Sequence, residues 1–207
     1  TGTHRITSQV TNGLEFSSGA TFNSDGIPTS SNYPFGSNSQ AVQYGVIFQP
    51  GANLVVTGNK SPMGNSSTFQ ACNMLPGSNY YVRASNATGT GSYNNLKTFG
   101  NIYVQNGATF TADGPFYKID NLTIDNAFSL ITHTSGNTPV LGNLTVNGSL
   151  TAPGGSTNVV VMGGNTAQTI SGSGTITIPT LTVANYSDVT LSKSLSVITG
   201  CNIFGKI

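Results

Sequence analysis

Apolar side chains recur at fixed short offsets along this chain and alternate with small polar ones. Three segments align without gaps, namely Leu14–Phe22, Val46–Leu54 and Ile102–Phe110, and each carries apolar residues at offsets 0, 2 and 8 with Gly-Ala between. Apolar residues at i and i+2 place two side chains on one face of a strand, and Gly or Asn after them favours a turn. The pattern therefore predicts pairs of short strands joined by tight turns.

The same pattern returns in variant form later in the chain, in Leu122–Leu130, Leu144–Leu150 and Leu181–Leu191. Starts at 102, 122 and 144 are spaced by 20 and 22 residues, and the next step, to 181, is 37. A single unit of this size cannot bury its own apolar face, so such units stack. We predict an all-β parallel β-helix, or solenoid, right-handed by the general preference for right-handed crossovers. Sustained 3.6-residue periodicity, which would predict helices, is missing.

Two polar stretches, about 25–43 and 57–98, interrupt the repeats, and each contains two prolines. We predict that both are excursions from the coils, formed by loops or by a small subsidiary set of strands. The chain then forms a single β-helix domain over 1–207. It ends in C-N-I-F-G-K-I, without the polar cap that an open β-helix end requires, so we expect it to be a fragment of a larger protein with further coils.

Charge is scarce, because Asp, Glu, Lys and Arg make up 6% of the chain against roughly 25% in an ordinary soluble domain. Seven basic residues cannot build a strong phosphate-neutralising surface, which argues against nucleic-acid binding. No apolar run approaches the roughly 18 residues that span a bilayer, so we do not expect a membrane-spanning protein. Ser, Thr, Asn and Gly supply nearly half of the residues. This suits a β-helix, since stacked like charges repel whereas stacked Thr, Ser and Asn can form hydrogen bonds.

Three stretches carry a resemblance to a known group of proteins: F-S-S-G-A-T-F-N-S-D-G-I-P-T, G-V-I-F-Q-P-G-A-N-L and Q-T-I-S-G-S-G-T-I-T-I-P-T-L-T-V-A-N. They resemble the repetitive segments of large secreted surface proteins of Bacteroidota. In those proteins, β-helical repeats precede a C-terminal sorting domain that the type IX secretion system reads. The resemblance implies a secreted or cell-surface location and a structural or adhesive (adhesin-like) role. The implied partners are extracellular glycans or proteins and the outer-membrane secretion machinery. The sorting domain itself is not recognisable in this chain.

Aromatic residues in the second excursion are the first candidates for a binding surface. Tyr80, Tyr81, Arg83 and Tyr93 lie there, and aromatic side chains carried over a rigid scaffold suit contact with a carbohydrate or a protein. The alternative is that these side chains pack the excursion against the coils.

Acidic residues bear on the alternative function, a carbohydrate-active enzyme such as a polysaccharide lyase or hydrolase, or a carbohydrate-binding domain. Such enzymes need clustered carboxylates, and the chain has six acids, of which Asp113, Asp120 and Asp125 form the one cluster in sequence. Asp120 and Asp125 would bind a cation or a sugar if they faced one groove; otherwise they serve turns.

We predict no catalytic residues, no metal site and no cofactor, although the enzyme alternative stays open. His4 and His133 are far apart and lack the accompanying Cys or Glu of a metal site. Cys72 and Cys201 are expected to be unpaired small core residues, with a disulfide between them as the alternative.

Overall fold

The computed structural model describes residues 6–24, 34–36, 41–57, 69–83, 97–112, 116–130, 136–152 and 157–207. These residues form strands and turns, and none of them is helical. Every pairing between the described strands is parallel. The chain is therefore an all-β solenoid of stacked parallel strands, which confirms the fold predicted from the repeats.

The strands are mostly three or four residues long and follow one another in this order: β1 (Leu14–Phe16), β2 (Thr21–Ser24), β3 (Val46–Phe48), β4 (Asn53–Val56), β5 (Cys72–Met74), β6 (Asn79–Val82), β7 (Lys97–Phe99), β8 (Asn101–Val104), β9 (Thr109–Ala112), β10 (Phe116–Ile119), β11 (Leu122–Ile124), β12 (Ala127–Leu130), β13 (Asn137–Val140), β14 (Leu144–Val146), β15 (Ser149–Thr151), β16 (Val159–Met162), β17 (Ala167–Ser171), β18 (Thr175–Val183), β19 (Asp188–Leu191) and β20 (Ser196–Ile203).

These strands build three faces around one core. The second face is a single sheet of eight strands in the order β2-β4-β6-β8-β11-β14-β17-β19. The first face starts with β1-β3-β5 and goes on with β7-β10-β13-β16, while the third face contains β9-β12-β15. Strand β18 serves two faces, because residues 175–177 pair with β15 and residues 180–183 pair with β16. Its register shifts around Pro179, which has no backbone N–H to donate.

The aligned repeats predict the stacking register in part. The first two segments pair residue for residue, through β1 with β3 and through β2 with β4. The segment that begins at Ile102 starts on the second face, whereas the first two segments start on the first face. Ile102, Leu122 and Leu144 stack directly on one another, so the spacings of 20 and 22 residues between them are the lengths of whole coils. The step of 37 to Leu181 is not a coil length. Leu181 belongs to the first face, and the residue stacked on Leu144 is Ile170.

Inward side chains form a continuous apolar core along the solenoid. Successive coils of the second face contribute Leu54, Tyr80, Ile102, Leu122, Leu144 and Ile170, and each is at most 3% exposed. Fully burying one aliphatic side chain of this size contributes roughly 1.5–3 kcal/mol. A long, narrow core of this kind stabilises a chain of which only 36% is hydrophobic.

The first predicted excursion returns to the core in its described part. Phe35 is fully buried, and its ring centroid lies 5.0 Å from that of Phe22 and 5.8 Å from that of Phe48. An aromatic side chain from this stretch therefore packs against the first coils. Within 25–43, the structure describes residues 34–36 and 41–43, and the others lie outside the described residues.

The second predicted excursion, 57–98, differs from expectation because β5, β6 and the start of β7 lie within it. Residues 72–80 repeat the nine-residue pattern, with Cys72, Met74 and Tyr80 at offsets 0, 2 and 8. This repeat is difficult to recognise in the sequence, because Ser78 replaces the alanine of the Gly-Ala pair, and Cys72 and Met74 are residue types unusual for strands. Residues 58–68 and 84–96 lie outside the described part of the chain.

No disulfide joins Cys72 and Cys201. Cys72 is buried in β5, as expected of a small core residue, whereas Cys201 is exposed on β20. The expectation of a core position is thus confirmed for Cys72 and wrong for Cys201.

A ladder of asparagine side chains runs along the edge of the second face where its strands begin. Asn79 Nδ2 donates to Asn53 Oδ1 at 3.0 Å, Asn101 Nδ2 to Asn79 Oδ1 at 3.0 Å, and Asn121 Nδ2 to Asn101 Oδ1 at 2.7 Å. The Asn143 backbone N–H then donates to Asn121 Oδ1 at 2.7 Å. Each bond joins one coil to the next, so the ladder fixes the stacking register beside the surface described below.

Candidate functional site

Outward side chains of the second face form the candidate site. Because successive residues of a strand point to opposite sides, the neighbours of the buried Tyr80 and Ile102 face outward. These neighbours are Tyr81 of β6 and Tyr103 of β8, which are paired in register. Their rings are stacked with centroids 4.8 Å apart and planes at 17°, which matches the spacing between adjacent strands. Stacking uses one face of each ring, so the pair presents its remaining ring surface, its ring edges and its hydroxyl groups on a rigid sheet.

The environment of Tyr103 disfavours the ionised form of its phenol. Partial burial raises the pKa of Tyr103, and the neighbouring Tyr81 raises it further because two adjacent phenolates would repel. The hydroxyl of Tyr103 is therefore available as a hydrogen-bond donor at neutral pH.

Arg83 lies beside this pair. Its guanidinium carbon is 4.9 Å from the centroid of the Tyr81 ring, within the range of a cation–π contact. Its Nε donates to Gln105 Oε1 on the next coil at 3.3 Å. The guanidinium group is thus held by a ring and by an amide, although the side chain is exposed.

An open depression of about 250 Å³ adjoins Tyr81 and Arg83. It extends over three successive strands and is lined by Thr21, Asn23, Asn53, Val55, Tyr81 and Arg83. The lining combines neutral hydroxyl and amide groups with the buried Val55, one aromatic ring and one cation. Most of these groups are polar, so the depression can form hydrogen bonds with a polar ligand.

Asp125 stands on the same outward column as Arg83. The backbone N–H of Gln105 bonds to the carbonyl of Val82, and that of Asp125 to the carbonyl of Val104, so Arg83, Gln105 and Asp125 succeed one another from coil to coil. Two strand spacings put Asp125 roughly 10 Å from Arg83. Asn147 Nδ2 donates to Asp125 Oδ1 at 3.0 Å and positions the carboxylate. Tyr81, Arg83, Tyr103, Gln105 and Asp125 are called the Tyr–Arg patch below.

Asp120 lies elsewhere. It occupies the corner before β11, whereas Asp125 follows the end of the same strand. Asp120 Oδ2 accepts a hydrogen bond from the backbone N–H of Gly77 at 2.9 Å, so this carboxylate stabilises the turn before β6, two coils away. The structure therefore does not bring Asp120 and Asp125 to one groove.

Tyr80, another of the predicted aromatic residues, is not on this surface. Tyr80 points into the core, where its ring stacks on Phe99 at 5.4 Å and meets Phe110 edge-on at 6.2 Å between centroids. Burial raises the pKa of Tyr80 far above its ordinary value, with Cys72 as a smaller cause. The alternative interpretation, packing inside the protein, thus describes Tyr80. Tyr93 lies outside the described residues.

Sequence reasoning missed Tyr103 and Gln105. Both occur in Ile102–Phe110, where the apolar offsets predict which side chains point inward. The same offsets predict that Tyr103 points outward, because it lies between two inward positions of its repeat, as Thr123 and Thr145 do in theirs.

The described residues contain no group of three or more His, Cys, Asp or Glu side chains able to hold a metal ion. In the same part of the chain, no helix is long and apolar enough to cross a membrane. No family model, no curated protein and no solved structure matches the chain.

Proposed function

We propose that this chain is a non-catalytic structural and adhesive module of an exported bacterial surface protein, and that it binds an extracellular glycan through the Tyr–Arg patch. The observation that carries the proposal is the stacked pair Tyr81–Tyr103 beside Arg83, outward on a sheet whose register is fixed by the asparagine ladder. The aromatic surface that stacking leaves free can pack against apolar parts of sugar rings, and polar side chains around it can bind hydroxyl groups. A preformed surface of this kind loses little conformational entropy on binding.

The cellular setting in this proposal comes from the resemblance of the repeats to Bacteroidota surface proteins. It includes export by a type IX secretion system and contact with the outer-membrane machinery. Co-purification of the chain with outer-membrane components in gentle detergent extracts supports that setting, and their absence opposes it.

The positions of the acidic residues agree better with a binding role than with glycoside hydrolysis. Glycosidases place two carboxyl groups roughly 5–9.5 Å apart across the scissile bond. Asp125 and Asp120 lie at opposite ends of β11, and Asp120 is engaged at a turn. The carboxylate of Asp125 is instead oriented by Asn147 to accept hydrogen bonds from a ligand.

A glycan-binding panel tests the proposal. Tyr81→Val and Tyr103→Thr remove the rings and insert the residues found at the same register on adjacent strands, Val55 and Thr123, so the variants are expected to fold. We expect at least a tenfold loss of affinity for any bound glycan.

The matched control is Tyr186→Ala, because Tyr186 is 78% exposed and lies away from the patch. We expect this variant to bind like the wild-type protein. Absence of binding to every glycan on the panel, or an equal loss in Tyr186→Ala, would overturn the proposal.

A further inference from the structure

We propose that the glycan is acidic, and that Arg83 binds a carboxylate of a uronic acid residue seated in the depression beside it. This inference rests on the proposed function, which it makes more specific. It starts from the way in which the Arg83 side chain is held.

The guanidinium of Arg83 is fixed while most of its donors remain open. Of five N–H groups, the one on Nε bonds to Gln105, and the plane lies by the Tyr81 ring. Among the described residues, no carboxylate pairs with Arg83. By contrast, Lys206 contacts Asp188 at 3.4 Å, and Lys193 donates to backbone carbonyls of Val146 and Gly174.

Among the described residues, none compensates the positive charge of Arg83 on the side of the depression. The other polar residues that line it, Thr21, Asn23 and Asn53, are neutral. Asp125 lies on the opposite side of Gln105, two strands away. An anionic group in the depression would therefore meet a cation together with amide and hydroxyl groups, and no described carboxylate lines the space.

The shape of the cation selects the anion. A guanidinium presents parallel N–H groups that match the two oxygens of a carboxylate, and its contact with an aromatic ring reduces the freedom lost on binding. The depression, at about 250 Å³, is below the roughly 300–1,000 Å³ of sites for drug-sized ligands, so it suits one sugar unit. Neighbouring units of the same oligosaccharide would then lie over Tyr81 and Tyr103.

Isothermal titration calorimetry with matched oligosaccharide probes tests this inference. The probes are hexagalacturonate and hexamannuronate, each compared with its methyl ester, which keeps the sugar and removes the charge. We expect at least one acid to bind tenfold or more tightly than its ester. We also expect this preference to weaken with added salt, as a charge contact at an exposed site does.

Substitutions assign the preference to Arg83. Arg83→Gln should abolish the difference between acid and ester, and Arg83→Lys should keep only part of it, because an ammonium cannot form the paired contact. The control is Lys206→Gln, which removes an exposed cation far along the solenoid and should leave both affinities unchanged.

The outcomes separate the two proposals. Equal binding of acid and ester, lost in Tyr81→Val, would overturn the acidic-glycan inference and support the glycan-binding function. An acid preference that survives in Arg83→Gln would also overturn the inference. Absence of binding to these probes and to the whole glycan panel would overturn the proposed function itself.

Discussion

Two adjacent tyrosines show that the position of a residue within a strand decides whether its side chain is buried or exposed. Tyr80 and Tyr81 are neighbours in sequence and carry the same side chain, but one is in the core and the other lines the outer surface. Sequence reasoning grouped them because it assigned the stretch to an excursion. Once β6 is recognised as a strand, the alternation of its side chains separates the two residues.

The burial of Tyr80 predicts a pH dependence of stability. Its pKa is raised above the ordinary value of about 10, so as pH increases past that value the unfolded chain loses its phenol proton first. Stability is therefore unaffected by this group below about pH 10 and falls above it. Tyr80→Phe should reduce the fall measured by urea unfolding at alkaline pH. Tyr186→Phe, an exposed control, should not, and an unchanged fall in Tyr80→Phe would contradict the argument.

Residues of the Tyr–Arg patch were only partly predictable. Tyr81, Arg83 and Asp125 were selected from the sequence by residue type, and the structure places them on one face. Their proximity could not be deduced, because it depends on the exact number of residues in each turn between stacked strands. Tyr103 completes the patch only because β6 and β8 are adjacent in the sheet.

At the scale of the strand and turn, close backbone contact selects glycine at a corner of the solenoid. A Cβ at Gly148 would lie 1.7 Å from the backbone oxygen of Asn126, which belongs to the coil below. A backbone atom in a stack of paired strands can move aside only if the hydrogen bonds that pair the strands are distorted. Gly200, by contrast, has nothing within 4 Å of its Cβ position.

These two glycines give a matched pair of substitutions. Gly148→Ala should lower the free energy of unfolding by about 1–3 kcal/mol or more through overpacking. Gly200→Ala should change it by less than about 0.5 kcal/mol. Urea unfolding of both variants checks the prediction, and a similar effect in the two proteins would show that the corner at Gly148 tolerates displacement.

Strand existence was easier to predict than strand limits. The repeats predict a unit that begins at Leu181, whereas the structure has one strand, β18, that runs from Thr175 to Val183. Pro179 lies within β18, at a corner where the strand passes from one face to the next. A missing N–H is tolerated there because the ladder is already irregular.

For the whole molecule, scarcity of charge and a continuous core are two results of the same stacking. Outward columns place equivalent residues of successive coils about 4.8 Å apart, so identical charges would repel at every step. Arg83 and Asp125 share one such column, but Gln105 separates them and Asn147 follows. Because the stacked columns carry few charges, an individual cation such as Arg83 has few charged neighbours on the described surface.

Stability should vary along the solenoid, because each coil is supported mainly by its neighbours. Ile102, in the middle of the second face, is fully buried between β6 and β11, whereas Ile198 in β20 is 56% exposed. Ile102→Ala should cost about 2–5 kcal/mol through loss of burial and creation of a cavity. Ile198→Ala, the same chemical change, should cost less than about 0.5 kcal/mol.

Hydrogen exchange provides the spatial test of the same argument. Amides of β8 and β11, which have paired strands on both sides, should exchange most slowly, and those of β19 and β20 most rapidly. Ile102→Ala should speed exchange on both sides of β8, because the coils below and above lose a shared packing partner. If Ile102→Ala and Ile198→Ala accelerated exchange uniformly over all coils, the solenoid would unfold as one cooperative unit and the coil-by-coil description would be wrong.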